Sequence, residues 1–215
     1  FLNVLGYFPL VMFVYFKNYQ GALEDLLIAI KLWNKGATEC KVNCPLNLRA
    51  MIYQKMGEPS KALPDYIRAG NKSKDYVLMN YNQALCYLQM NDTANAKLAL
   101  ERTITLDKKA TVESAFAQMQ MQKLTGNKVD VALAEERISK SSKKEFEKKY
   151  ALACLHAIEG DTEKSVKYLS DCMRENRSPF CNMLLDYQLT EVAKQYNLNT
   201  LYVSGGEYVV KNTGY

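Results

Sequence analysis

The only histidine of the chain, His156, is the residue from which hydrolytic chemistry would have to start. A Ser–His–Asp arrangement uses the imidazole as its general base. His156 lies inside a helical pattern, at the position that Tyr53 and Tyr87 hold in two similar segments. Because a ring at such a position is normally packed, we expect His156 to be a buried ring that is hydrogen-bonded to a neighbour.

Two further patterns lack the spacing that catalysis would need. Glu135 and Glu136 are adjacent on a predicted helix, so their carboxylates point in different directions and cannot flank one substrate bond. Gly205-Gly206 lacks the lysine and the helix that follow a phosphate-binding glycine loop. The sequence therefore predicts no catalytic residue, no cofactor and no enzymatic activity.

The chain has six cysteines, of which Cys40 and Cys44 form a C-x3-C pair. A zinc site at this pair would need two more ligands nearby, and His156 lies far along the chain. We expect either a local disulfide or two free thiols here, and no metal site. Four of the cysteines fall inside helical patterns, where a free thiol behaves as a small apolar side chain.

The overall composition favours a helical globular protein. Hydrophobic residues make up 48% and charged residues 24% of the 215, which is typical of folded domains. The 10 glycines and 5 prolines are too few for a fold built on many tight turns. The net charge of +5 is too weak to argue for a nucleic-acid partner, which needs a concentrated basic stripe.

One lysine cluster surrounds Ser141-Ser142. Its members are Lys140, Lys143, Lys144, Lys148 and Lys149. Such a cluster could attract an acidic peptide or a membrane surface. Because Glu145 and Glu147 are interspersed, we interpret it as the solvated start of a helix.

A period of 34 residues runs through the chain and sets where these side chains lie. The series Tyr53, Gly57, Ala62, Tyr66, Ala69 returns, each position displaced by 34, as Tyr87, Asn91, Ala96, Leu100, Thr103. A period in this range is typical of stacked supersecondary units, none of which can bury its apolar face alone.

With these positions the chain resembles the tetratricopeptide repeat family, whose units are antiparallel helix pairs. The resemblance implies an all-α fold, a right-handed α-solenoid of about five helix hairpins with a C-terminal capping helix. The repeats are expected at about residues 6–33, 46–70, 75–107, 110–140 and 142–175. The repeat array then spans residues 1–177, and residues 178–215 form the capping helix, predicted over 180–196, and a tail.

The repeat pattern makes local predictions. The first helix of a repeat should end at a residue that can adopt a left-handed conformation, and the second helix must approach it through a small side chain. The predicted turn residues are Gly57, Asn91 and Gly160, and the predicted small contacts are Ala22, Ala62, Ala96 and Ser165.

Helix starts carry their own signals. Pro59 is expected in the first turn of a helix, where its missing N–H costs nothing. Pro64 should kink that helix or delay its start. Asp75 is a predicted N-cap, and Ser142 with Glu145 is a predicted capping box.

In this family the concave face, lined by the first helix of each repeat, is the functional surface. The alignment places these residues on it: Asn47, Met51, Tyr81, Asn82, Leu85, Phe116, Gln120 and Tyr150. Aromatic rings and methionine favour a peptide-binding groove, although rings at helical spacing also pack as core. Of the amide and basic clamp that holds acidic chaperone tails in this family, Asn82 alone matches, so that role is disfavoured.

We therefore predict a non-catalytic interaction module or scaffold that binds a protein or peptide on its concave face. The alternative is an accessory or spacer domain of a larger chain, membrane-tethered or enzymatic upstream of Phe1. The uncharged residues 1–16 motivate it, because they are either a buried first helix or the remnant of a signal or membrane segment. Membrane association is expected only through that segment. The glycosylation motifs at Asn71 and Asn91 are too short to decide the compartment.

Overall fold

The computed structural model describes residues 18–36, 44–72, 76–107, 111–177, 184–203 and 207. Within these ranges the chain is all-α, and neighbouring helices pack against one another inside each of two compact units, which confirms the predicted helical-repeat fold. The chain divides into two compact units, Phe1–Leu106 and Asp107–Tyr215. The first helix of the first predicted repeat and the Asp75 N-cap lie outside the described residues.

The first compact unit contains five described helices. They are α1 (Tyr19–Gly36), α2 (Pro45–Lys55), α3 (Pro59–Gly70), α4 (Tyr76–Gln89) and α5 (Thr93–Leu106). Each packs against the next. Their shared core includes Trp33, Leu46, Ala62, Tyr66 and Met79. Burying these apolar side chains supplies the main driving force for stacking the helices.

The turns between paired helices have the predicted conformation. Gly57 (φ 79°), Asn91 (φ 59°) and Gly160 (φ 104°) all occupy the left-handed region, as does Gly126 (φ 72°). This conformation lets the backbone reverse after the first helix and is least strained for glycine and asparagine. The small contact residues Ala22, Ala62, Ala96 and Ser165 are each 0% exposed, as predicted.

The two prolines of α3 behave differently. Pro59 occupies the first turn, as predicted, because the N–H it lacks would have no partner inside the helix. Of the two predicted effects of Pro64, the delayed helix start is wrong, since α3 runs without interruption from Pro59 to Gly70, and the kink stays a prediction. The helix thus begins a full turn before Pro64 and accommodates it in its interior.

The second compact unit continues the pairing. Its helices are α6 (Val112–Thr125), α7 (Val131–Lys140), α8 (Glu145–Glu159), α9 (Thr162–Glu175), a 3₁₀ turn (Tyr187–Leu189), α10 (Thr190–Gln195) and α11 (Leu198–Val203). Side chains of Thr111, Asp130 and Asp161 accept hydrogen bonds from backbone N–H groups in the first turns of α6, α7 and α9. These caps satisfy N–H groups that have no partner inside the helix.

The predicted capping box at Ser142 and Glu145 is wrong by two residues. Helix α8 begins at Glu145, so Lys144 is its N-cap and Glu147 is its third residue. The Lys144 backbone N–H donates to Glu147 Oε2 at 2.9 Å. The carboxylate half of the box is therefore present, but on the glutamate that falls at the third helical position.

The predicted single helix over residues 180–196 is also wrong within the described part of it. The helical residues Leu184 and Leu185 are followed by Asp186, the 3₁₀ turn and α10, which ends at Gln195. Asp186 is held outside the helix because its carboxylate accepts from the Gln188 backbone N–H at 3.0 Å. Helices α10 and α11 still pack against α9. The predicted tail is helical over Leu198–Val203.

Long-range hydrogen bonds confirm that one repeat stacks on the next. Within each compact unit, several side chains reach a residue 33 to 35 positions away, which is one repeat. The donor and acceptor residues are Arg68 and Asn34, Asn82 and Asn47, Gln89 and Gln54, Lys123 and Ile158, and Thr162 and Gln195. Sequential neighbours are thus in direct contact, as a repeat array requires.

The structure bears on the predictions about the N-terminal segment and about the cysteines. In the described ranges no helix is both long and apolar enough to cross a bilayer, and residues 1–16 lie outside those ranges. Cys44 is disulfide-bonded. Cys86, Cys154 and Cys172 are buried free thiols, and burial raises the pKa of Cys86 to about 12. Thiols of this kind are packing residues rather than reactive ones.

Candidate partner-binding face

The eight predicted lining residues divide into two groups by exposure. Met51, Asn82, Gln120 and Tyr150 are partly accessible at the surface. The other four are buried: Asn47 and Tyr81 at 1%, Leu85 at 3% and Phe116 at 6% exposed. The four buried residues therefore pack inside the protein, and only the other four have side-chain surface that a partner could reach.

In the first compact unit the structure brings three of these residues together. Asn82 Nδ2 of α4 donates to Asn47 Oδ1 of α2 at 3.3 Å. Asn47 Nδ2 in turn lies 3.7 Å from the Met51 sulfur, one helical turn further along α2. The two amides thus tie the helices together and place Met51 and Asn82 on the same face.

A second tie between α2 and α4 was missed by sequence reasoning. Gln89 Nε2 donates to the Gln54 backbone oxygen at 3.0 Å, and the Gln54 side-chain oxygen accepts from the Tyr66 hydroxyl at 2.7 Å. The available signal was the spacing of 35 residues, which Asn47 and Asn82 share with Gln54 and Gln89. Amides that recur at the repeat spacing are natural partners across adjacent repeats.

Leu78 completes this face. It is half-buried, packs against the core of the first compact unit and precedes Asn82 by one helical turn. We call Asn47, Met51, Leu78 and Asn82 the α2–α4 face. All four side chains are uncharged, and two apolar groups lie beside two amides.

In the second compact unit the three predicted residues lie on two helices that pack against each other. Phe116 and Gln120 belong to α6, whereas Tyr150 belongs to α8. The Tyr150 hydroxyl donates to Asp186 Oδ2 at 2.9 Å, and burial raises the pKa of Tyr150 well above its usual range. The polar end of Tyr150 is thus occupied by the segment that follows α9.

His156 has the predicted structural setting. Its ring is 1% exposed and stacks on the Tyr168 ring with centroids 5.4 Å apart, and its Nδ1 lies 2.9 Å from Glu159 Oε2. The lysine cluster likewise agrees with a solvated helix start, because Lys140, Lys148 and Lys149 form ion pairs with Glu136, Glu145 and Glu175.

Comparison with protein-family models found a match within the first compact unit and the residues that follow it. Residues 78–109 match the model described as tetratricopeptide repeat. The chain contains a tetratricopeptide repeat. This tetratricopeptide repeat covers most of α4, the left-handed turn at Asn91 and all of α5, and it includes Asn82 of the α2–α4 face. A search of curated proteins found no significant match. Tetratricopeptide repeats are in general non-catalytic protein-interaction modules.

Proposed function

We propose that the chain is a non-catalytic scaffold that binds an extended, uncharged peptide segment of a partner protein on the α2–α4 face. The observation that carries the proposal is the Asn47–Asn82 hydrogen bond, which presents Asn82 and Met51 together from two adjacent repeats. The face is thereby held in one arrangement before a partner arrives, which lowers the entropic cost of binding.

The chemistry of the face favours recognition of a peptide backbone. A side-chain amide offers both a donor and an acceptor, as does each peptide unit of an extended segment. Asn82 uses one donor on Asn47, so its remaining N–H is suited to donate to a peptide C=O and its oxygen to accept from a peptide N–H. Such pairing reads the main chain and demands no particular side chain at that position.

The apolar members of the face define the rest of the expected ligand. Met51 and Leu78 are half-buried on the same surface, and methionine adapts its shape to different apolar side chains. No Lys, Arg, Asp or Glu belongs to the α2–α4 face, so a strongly acidic or basic tail would lose hydration without gaining a partner. The expected ligand is an extended segment with small apolar side chains.

The test begins with a displayed peptide library selected on the full chain, followed by fluorescence anisotropy with the best peptide. The Met51→Ala, Asn82→Ala double variant is expected to bind roughly tenfold or more weakly, as for the loss of a modest hot spot. Met56→Ala is the matched control, because Met56 lies on the same chain segment, is 39% exposed and is outside the face. Selection of acidic peptides, or equal binding by both variants, would reject the proposal.

A further inference from the structure

One histidine and three carboxylates converge at the carboxyl end of α8. His156 Nδ1 lies 2.9 Å from Glu159 Oε2, and Nε2 lies 3.2 Å from Glu135 Oε1 of α7. Asp161, in the turn to α9, places a carboxylate oxygen within 4.8 Å of ligand atoms of both His156 and Glu159. These residues belong to three consecutive elements of the second compact unit, and none belongs to the α2–α4 face.

The imidazole cannot satisfy both neighbouring glutamates as a neutral ring. It carries one N–H, so one ring nitrogen must present its lone pair to a carboxylate. Nε2 is buried and has no aligned hydrogen-bond partner among the described residues, although Glu135 lies beside it. A cation held between the ring and the carboxylates would remove this repulsion.

The second carboxylate decides on which side of the ring a metal ion would lie. Glu159 lies 2.9 Å from Nδ1 and has the Asp161 carboxylate within 4.8 Å of it, whereas Glu135 lies beside Nε2. We propose that His156 Nδ1, Glu159 and Asp161 bind one divalent transition-metal cation of the Zn²⁺ class. Imidazole nitrogen with carboxylate oxygen is a donor set that suits such ions.

Glu135 then acts as a positioning residue. A metal-bound histidine usually donates its other ring N–H to a carboxylate, which fixes the tautomer and the ring orientation. Glu135 Oε1 lies 3.2 Å from Nε2 on a side chain that is 43% exposed and can turn to accept from Nε2–H, and the stacked Tyr168 ring, with an interplanar angle of 1°, restrains rotation of the imidazole. The proposal departs from the sequence-based expectation of no metal site, which considered ligands only near Cys40 and Cys44.

Lys164 competes for the same carboxylates. Its Nζ lies 3.2 Å from Asp161 Oδ2, and its side chain is 59% exposed, so it can move away at little cost. Removing this cation would leave the carboxylates available to a metal ion. We expect Lys164→Gln to bind Zn²⁺ more tightly than the unaltered chain.

The experiment is a Zn²⁺ titration of the untagged full chain labelled with ¹⁵N-histidine. Because His156 is the only histidine, its two ring nitrogens give the only labelled side-chain signals. Binding at one equivalent should shift the Nδ1 resonance and leave the proton on Nε2. Competition with a chromophoric chelator should show that Glu135→Gln weakens binding roughly 10- to 100-fold, as for other second-sphere carboxylates.

Two further variants, each of which loses one carboxylate charge, complete the test. Asp161→Asn keeps an acceptor for the α9 N-cap but removes a ligand charge, and should weaken binding about tenfold or more. Glu136, the residue next to Glu135, pairs with Lys140 instead, so Glu136→Gln removes one carboxylate charge and should leave binding unchanged. Zn²⁺ uptake without a change at His156, equal affinity of the two variants, or the same Nδ1 shift with Mg²⁺ would overturn the proposal.

Discussion

At the scale of single residues, the left-handed turns make the sharpest stability prediction. Gly160 has φ 104°, a conformation in which an L side chain is strained. Gly160→Ala should lower the free energy of unfolding by about 1–2 kcal/mol. Asn91→Gly, at φ 59°, should cost nothing or stabilise slightly, because glycine adopts that conformation freely. Urea unfolding monitored by circular dichroism measures both, and equal losses would contradict the prediction.

Asp186 makes a pH-dependent prediction at the same scale. Burial raises the pKa of Asp186 above its ordinary value, although hydrogen bonds from Gln188, Tyr150 and Cys154 oppose the shift. A carboxyl with a raised folded-state pKa contributes most stability below its unfolded-state pKa, near 3.8, and that contribution is lost as pH rises through the folded-state value.

Asp186→Asn should therefore gain stability relative to the unaltered chain as the pH rises above about 4, since the amide cannot ionise. The measurement is urea unfolding of both proteins at several pH values between about 3 and 7. A stability difference that does not change with pH, or that changes in the opposite direction, would show that the hydrogen bonds to the carboxylate outweigh its desolvation.

At the scale of elements, an ion pair joins α2 to α3. Arg49 Nε and Nη2 donate to the two carboxylate oxygens of Asp65 at 2.6 and 2.7 Å. The Asp65 side chain is only 7% exposed, so loss of Arg49 would leave a buried charge without its partner. Arg49→Met should cost roughly 2–4 kcal/mol, reduced from the fully buried case because Arg49 is 21% exposed.

A double-mutant cycle separates this pairing from the burial cost. If the charges are mutually dependent, the Arg49→Met, Asp65→Leu double variant should be less destabilised than the sum of the two single variants. If the losses in unfolding free energy of the two single variants add up to that of the double variant, the Arg49–Asp65 ion pair contributes no coupling energy. The same measurement on Lys194 and Glu191, an exposed pair on α10, should show a coupling near zero.

The elements also show what the sequence could and could not predict. Gly57, Asn91 and Ala96 were predictable because their roles follow from local helix geometry repeated at a fixed spacing. The hydrogen bond from Tyr150 to Asp186 joins residues 36 positions apart, and the Glu135 contact with His156 depends on how two helices pack. Neither leaves a periodic trace. For the same reason burial of Tyr81 and Phe116 was not distinguishable from exposure in a groove.

At the scale of the whole molecule, helix lengths indicate which of the described helices of the second compact unit should open most easily. Helices α8 and α9 are 15 and 14 residues long, and their interiors contain fully paired backbone amides. Helices α10 and α11 have six residues each, so most of their N–H groups lie in a first turn that has no intrahelical partner. Residues 187–203 are then held in place mainly by three buried side chains, those of Leu189, Val192 and Leu201.

Hydrogen exchange followed by mass spectrometry tests this difference in opening between the long and the short helices. Peptides from α8 and α9 should exchange at least about tenfold more slowly than peptides covering 187–203, because short helices open at lower free energy. Leu201→Ala should speed exchange in 187–203 while leaving α8 nearly unchanged, since Leu201 is 0% exposed and its removal leaves a cavity under α11. Uniform protection across these helices, or equal acceleration in α8, would instead show that this segment opens only when the helices it covers unfold.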